Sequence, residues 1–443
     1  MSHKQRTHLR GQRGQAFADQ IRGIPPERIL CVSLDIHKYF HVVMLHNALG
    51  ELVAPTFEID IFQTGFDQLC QAITDARAKT QAQLVLLGME PSSHYFENLA
   101  RHLLAKNQPV TLINSLAVKH NRDQHMMKRE KDDEIDTAAI GDLLRRGEGS
   151  PYQPATGVYL QLQQLDRARL AQIRIRTMVQ NHILGHLDRI FPGLVLIGEE
   201  ATNRYQPLFK KDFWLCQTFQ HLIRVCPDPR RVAALSPADL RAAFQEHGYR
   251  LPVLTARQII TYAQKALLPD PDLIAIRTEL LQHDLALLDT LDAHIAELDQ
   301  RLAALVIGTP YEVWTKLKGL APVQVASLAG AIGDPEHYDN AGQVFRRAGL
   351  VPGRNDSGVH QRKGQGRHIV KVGDVYLRRA LMNGVASLTL HQPVLNSYYE
   401  RLQLSKSKGV ARVATARRAL GILWATLRDQ KPIALGLKQG AHL

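Results

Sequence analysis

RILCVSLDIHKYFHVVMLH, residues 28–46, decides how the first third of the chain folds. One apolar run, RILCVSLDI, is followed after a short break by a second, YFHVVMLH, and both carry the β-branched and long aliphatic residues that fit a pleated surface. A third run, ELVAPTFEI (51–59), comes after the NALGE turn. Connections this short imply antiparallel neighbours, so the three runs predict a β-meander. Beyond them FQTGFDQLCQAITDARAK reads as a helix, QLVLLGME as a buried strand, HYFENLARHLLAK as a helix and PVTLIN as a strand. KDDEIDTAAI, residues 131–140, then opens an acidic helix.

The resulting order, βββαβαβα, is that of an α/β ribonuclease-H-like domain, expected over residues 29–150. In that order the first and fourth strands are neighbours. Asp35 closes the first and Glu90 closes the fourth, so residues far apart in sequence come within reach of one metal centre. Asp133 and Asp136 are three apart, and a helix sets both on one face. Asp132 and Glu134 are expected to face solvent. Four converging carboxylates are hard oxygen ligands suited to Mg²⁺ or Mn²⁺. Two such ions, roughly 3.5–4 Å apart, clamp the attacking and leaving oxygens of a phosphoryl displacement.

The bulk charge points to the same substrate class. Across 443 residues, 55 Lys and Arg stand against 42 Asp and Glu, a formal net charge of +13. Such an excess favours polyanions, nucleic acid first. No apolar run is long enough to span a membrane. The first 28 residues are basic, contain no apolar signal core, and read as a flexible basic arm. Four cysteines without a paired spacing argue against a disulfide framework or zinc site and for a cytoplasmic setting, nucleoid-associated given the charge.

SPYQPATG, from residue 150, reads as a linker. Residues 151–308 read as a helical, coiled-coil region with an insertion. Its first long helix carries Arg167, Arg169, Arg174 and Arg176. In its second, Leu281, Leu288, Leu291, Ile295, Leu298, Leu302 and Leu305 form a seam that packs either on the first helix or in a dimer interface. Residues 309–443 form a basic, mainly α C-terminal domain. Between 341 and 380 nine cations (Arg346, Arg347, Arg354, Arg362, Lys363, Arg367, Lys371, Arg378 and Arg379) face only Asp356 and Asp374, in a glycine-rich context that suits phosphate contacts.

Several blocks resemble one family. SLDIHKYFHVVML, with Asp35 and Lys38, is similar to the D-[VI]-[SH]-K block of the DEDD transposases of insertion sequence 110 type, relatives of the Piv pilin-gene invertases. EPSSHYFENL keeps Glu90 and Tyr95 of the E-x-T-G-x-Y block, with Ser92 and Ser93 replacing Thr and Gly. KDDEIDTAAI keeps Lys131, Asp133 and Asp136 of K-T-D-x-x-D-A, with Thr137 replacing Ala. The C-terminal stretch from LKGLAPVQVASLAG to VKVGDVYLRRAL resembles the family's second conserved domain, with A-G-L-x-P, S-G, I-x-K-x-G-[ND] and L-R. Ala321 stands where a helix-hairpin-helix turn usually has its second glycine.

The resemblance implies a RuvC-like catalytic domain in which Asp35, Glu90, Asp133 and Asp136 bind Mg²⁺ or Mn²⁺, and a serine nucleophile in the second domain, carried here to Ser357. It implies nucleic-acid contacts by Lys38, Lys131, Arg346, Arg347, Arg354, Arg362, Lys363, Arg367, Lys371 and Arg378. It further implies DNA as substrate, a structured guide RNA as partner, and a homodimer or tetramer. The alternative is a RuvC-like nuclease or Holliday-junction resolvase that uses water as nucleophile; a second is a nucleic-acid-binding protein without catalysis.

Overall fold

A computed structural model describes residues 11–125, 132–195, 208–209, 212–267, 270–351, 369 and 373–429. The chain divides into two compact units at Pro154 and Ala155.

The first unit is built on a six-stranded sheet. Its strands are β1 (Ile29–Ile36), β2 (Phe40–Asn47), β3 (Phe57–Asp60), β4 (Leu84–Met89), β5 (Val110–Leu112) and β6 (Ser150–Pro151), in the order β3-β2-β1-β4-β5-β6. β1 pairs antiparallel with β2 and parallel with β4, with Leu34 opposite Met89. All eight residues of β1 are buried, as an apolar run in the middle of a covered sheet should be.

Strand alternation sends β1 residues to two different cores. Leu30, Val32, Leu34 and Ile36 join Leu69 and Ile73 of α2 (Gln63–Thr80) and Leu99 and Leu103 of α3 (Phe96–Ala105). Ile29 and Cys31 face the other way and meet Leu86 and Leu144. Leu144 belongs to α5 (Asp133–Arg145), so α5 covers the face that Asp35 shares with Cys31 and Ser33.

The meander is shorter at its third strand than ELVAPTFEI suggests. Pro55 lacks an N–H and cannot continue a ladder; upstream of it Leu52 makes a single bridge to His46, and β3 begins only at Phe57. An unanticipated helix, α4 (Ser115–His125), precedes α5, started by Asn114, whose side chain accepts the Leu116 N–H at 2.9 Å. The expected linker at residue 150 instead supplies β6, antiparallel to β5. Residues 11–28 are not a free arm. Gly11–Ile21 form α1, and Phe17, Ile21 and Ile24 pack against the Ile29–Cys31 core, because their spacing gives one apolar face. Residues 1–10 lie outside the described residues.

In the second unit two long helices, α6 (Gly157–Ile190) and α11 (Pro271–Val306), run antiparallel and pack along their length. Polar contacts across the pair match this register: Arg169 pairs with Asp299 and Arg176 with Asp292 at 2.5 Å, and His186, its pKa lowered by burial, meets Asp284 at 3.4 Å. Leu281, Leu288, Leu291 and Leu302 of the expected seam are buried. Among the described residues between them, four shorter helices, α7 (Gln217–Val225), α8 (Pro229–Ala234), α9 (Pro237–Glu246) and α10 (Val253–Lys265), share a core with the adjoining ends of both.

The described residues beyond α11 are mainly helical: α12 (Pro322–Ile332), α13 (Ala341–Arg347), α14 (Val375–His391), α15 (Pro393–Gln403) and α16 (Lys408–Asp429). They close around Trp314, whose indole N–H donates to Leu423 O and Thr426 Oγ1. The segment before α12 is a 3-10 helix, Pro310–Lys316, so the hairpin lacks a first α-helix. Ala321 takes ordinary extended backbone as the residue preceding α12, which needs no glycine. Among the described residues, no helix is long and apolar enough to cross a membrane.

Candidate active site

Asp35 is the second-last residue of β1 and only 7% exposed. The parallel register with β4, continued one residue past Leu34 and Met89, sets Glu90 beside it and on the same face. The third and fourth carboxylates come from α5. Asp132 caps that helix, accepting the Glu134 N–H at 3.2 Å, and Asp133, Glu134 and Asp136 fill its first turn, where backbone N–H groups favour negative charge. Asp136 is buried and Asp133 half-buried, whereas Asp132 and Glu134 are exposed. Glu134 accepts a hydrogen bond from Thr56 at 3.1 Å.

The electrostatics at Asp35 record the convergence. Burial pushes its carboxyl above the ordinary aspartate range; His37 pulls it back, and Glu90, Asp136 and Asp133 push it further up. Glu90, Asp133 and Asp136 thus each act on Asp35; of the four, Asp35 and Asp133 also bring ligand atoms into one cluster, and Glu90 and Asp136 do not join it.

Two participants were absent from the sequence-based set. His37 sits just past β1, its Nε2 3.2 Å from Asp35 Oδ2 and 3.6 Å from Asp133 Oδ1, its ring stacked on Phe40. Donor atoms of Asp35, His37 and Asp133 all lie within 4.8 Å of one another. That set fits a divalent cation: two hard carboxylates, a borderline nitrogen, and excess negative charge that a cation would neutralise.

Arg122, on α4, is the second. Its Nη1 lies 2.5 Å from Asp136 Oδ1, with both side chains largely buried. Nearly two turns further along α5, Asp142 is bound by Asn121 at 2.7 Å and by Arg145 and Arg146. Thus α4 and α5 are tied twice. Arg122→Gln is expected to destabilise the metal-free protein by about 1–3 kcal/mol. The loss should shrink with Mn²⁺ present, because the ion replaces the guanidinium charge. Equal loss of melting temperature in Mn²⁺ and in chelator would make the pair purely structural.

The basic candidates separate. Lys38 is exposed and lies over the Tyr39 ring at 4.8 Å. Arg346 is exposed, but Arg347 donates to Ala331 O at 3.0 Å and Arg378 to Ala348 O at 3.1 Å, so these two brace the helices around α13. Lys131, Arg354, Ser357, Arg362, Lys363, Arg367 and Lys371 lie outside the described residues. The flanks of the segment holding Ser357 are joined: the Asp374 N–H donates to Arg347 O at 2.6 Å, and a Cβ on Gly373 would meet that same oxygen at 2.4 Å.

Residues 32–192 match a family model of the IS110 DEDD type described as transposase, and residues 311–400 match one described as transposase of the IS116/IS110/IS902 family. No curated protein matches the chain. The first match covers the sheet from Val32 onward and every carboxylate of the cluster. The second runs from the 3-10 helix before α12 into α15. Acidic convergence in one unit and a matched helical unit in the other lead to a single assignment: the chain belongs to the IS110-family DEDD transposases.

Proposed function

We propose that the protein cuts and rejoins DNA strands of an insertion sequence through a four-carboxylate centre in a ribonuclease-H-like domain and a serine nucleophile, Ser357. The observation that carries the reading is the loading of Asp35, a buried carboxylate surrounded by Glu90, Asp133 and Asp136. Like charges crowded around a buried acid are costly unless a cation belongs there. Asp35, Glu90, Asp133 and Asp136 would hold Mg²⁺ or Mn²⁺, with two ions in keeping with four carboxylates. Bound ions supply charge neutralisation at the scissile phosphate and lower the proton affinity of the attacking oxygen.

The chain's own groups do the rest. His37, between Asp35 and Asp133, holds the two carboxylates apart in a fixed geometry, and Arg122 fixes the orientation of Asp136. In the serine step the Ser357 Oγ–phosphorus bond forms as a phosphodiester P–O bond breaks, and the serine proton leaves while the departing oxygen gains one. Rejoining reverses this with a new DNA hydroxyl. A structured guide RNA would select the sites by base pairing, leaving backbone and shape to the protein. Assembly as a homodimer or tetramer would place two strand ends together.

Purified protein, Mg²⁺, the flanking non-coding RNA and labelled element-end DNA test this. After denaturation, protein-linked DNA is expected from wild type and from neither Ser357→Ala nor Asp133→Ala. Free nicked DNA from both wild type and Ser357→Ala would instead identify water as the nucleophile, the chemistry of a nuclease or junction resolvase.

A further inference from the structure

Helix α10 lies in a stretch outside both family matches. It buries Ala256, Ile259, Ile260 and Ala263 in the core shared with α6 and α11. At 100° per residue those four define one side of the helix. The opposite side, over about 120° of arc, carries Leu254, Arg257, Gln258, Thr261, Gln264 and Lys265, all exposed. We propose that this face of α10 docks in the major groove of double-stranded DNA.

Charge favours a polyanion. The sequence of α10, VLTARQIITYAQK, contains no Asp or Glu. Between residues 212 and 267, seven Lys and Arg stand against four acids. Two acids are engaged at helix starts, Asp228 accepting the Arg230 N–H and Asp239 in a capping box with Ser236, and two cations are engaged as well, Arg224 with Asp289 and Arg241 with Leu251 O, so the excess is kept. Helix α11 has the opposite balance: Asp272, Glu279, Asp284, Asp289, Asp292, Glu297 and Asp299 outnumber Arg277 and Arg301, so within this core the cationic face belongs to α10. Side-chain chemistry favours base edges. Arg257 and Lys265 stand two turns apart, able to reach phosphates, and the neutral donors and acceptors Gln258, Thr261 and Gln264 lie between them. Leu254, 72% exposed, is an apolar contact of the kind a thymine methyl accepts.

Shape selects DNA over RNA duplex. A 13-residue helix is about 20 Å long, and a B-form major groove about 12 Å wide admits it, whereas the A-form groove is too narrow.

The test uses full-length protein in chelator, so that binding is read without cleavage and independently of the carboxylate centre. Anisotropy would be followed against salt for a 30-base-pair DNA duplex, chosen to exceed the footprint of one helix, and for the RNA duplex of the same sequence. Arg257→Gln with Lys265→Gln should weaken DNA duplex binding and lower the slope of log K against log salt by about 1.8, two phosphate contacts' worth. Arg22→Gln with Arg301→Gln removes the same charge from residues already paired with Asp19 and Glu297, and should leave the slope unchanged. Gln258→Ala with Gln264→Ala should weaken duplex DNA binding without changing the slope. An equal effect of the two charge pairs would mean net charge alone, a loss confined to RNA duplex would mean an RNA surface, and no change in any variant would leave α10 a solvated helix; each overturns the proposal.

Discussion

Asp35→Asn is expected to reduce strand cleavage by roughly 10³-fold or more, the rate equivalent of several kcal/mol of lost metal-mediated stabilisation. The same change should raise the melting temperature of the metal-free protein. In the fold the ionised form of Asp35 is penalised, by burial first and then by Glu90, Asp136 and Asp133 against the pull of His37. A carboxyl with a raised folded-state pKa contributes stability that is complete below the ordinary aspartate value, about 3.9, and is lost as pH climbs through the raised one. Wild type in chelator should therefore lose stability with rising pH across that window. The asparagine variant should not, and Mn²⁺ should restore the wild type. Thermal melts from acid to neutral pH, with and without metal, read all three; a metal-free asparagine variant that melts below wild type would remove the charge-crowding argument.

Gly141→Ala should be nearly as damaging through position alone. A Cβ there would sit 2.5 Å from His46 Nε2 and 2.8 Å from Ser33 Oγ, both buried and hydrogen-bonded to each other at 3.0 Å. Neither neighbour can yield cheaply, so α5 must lift from the sheet, at about 1–3 kcal/mol of overpacking. Asp133 and Asp136 ride on that helix. A displacement of about 1 Å costs on the order of 10²-fold in rate. The variant should fold, melt earlier and cleave about 10²-fold more slowly. Adding His46→Ala, which vacates the contested space, should recover part of the activity; a double variant no better than the single one would place the defect elsewhere.

How much of this was legible follows from which residues carry local signals. The strand order could be read because β1, β2 and β4 are apolar runs bounded by turns, and the acid pair because its spacing of three is helical. β3 was overextended because Pro55 sits inside an otherwise apolar stretch. The arm was misjudged because the helical spacing of Phe17, Ile21 and Ile24 is diluted by basic residues. His37 carried a signal, a histidine two residues beyond a strand-end aspartate. Arg122 carried none, since its partner Asp136 is fourteen residues away and only the packing of α4 on α5 joins them.

The sheet's two borders have a consequence for solubility. One border strand, β3, is four residues long and carries Glu58 and Asp60, and the Asp60 carboxylate accepts the N–H groups of Phe62 and Gly65. The other, β6, is two residues long and ends on Pro151, which has no N–H to offer. A foreign strand therefore finds no run of free backbone groups to zip onto at either border. Crowding of this unit on nucleic acid, where local concentrations are high, can proceed without the strand addition that seeds cross-β aggregation.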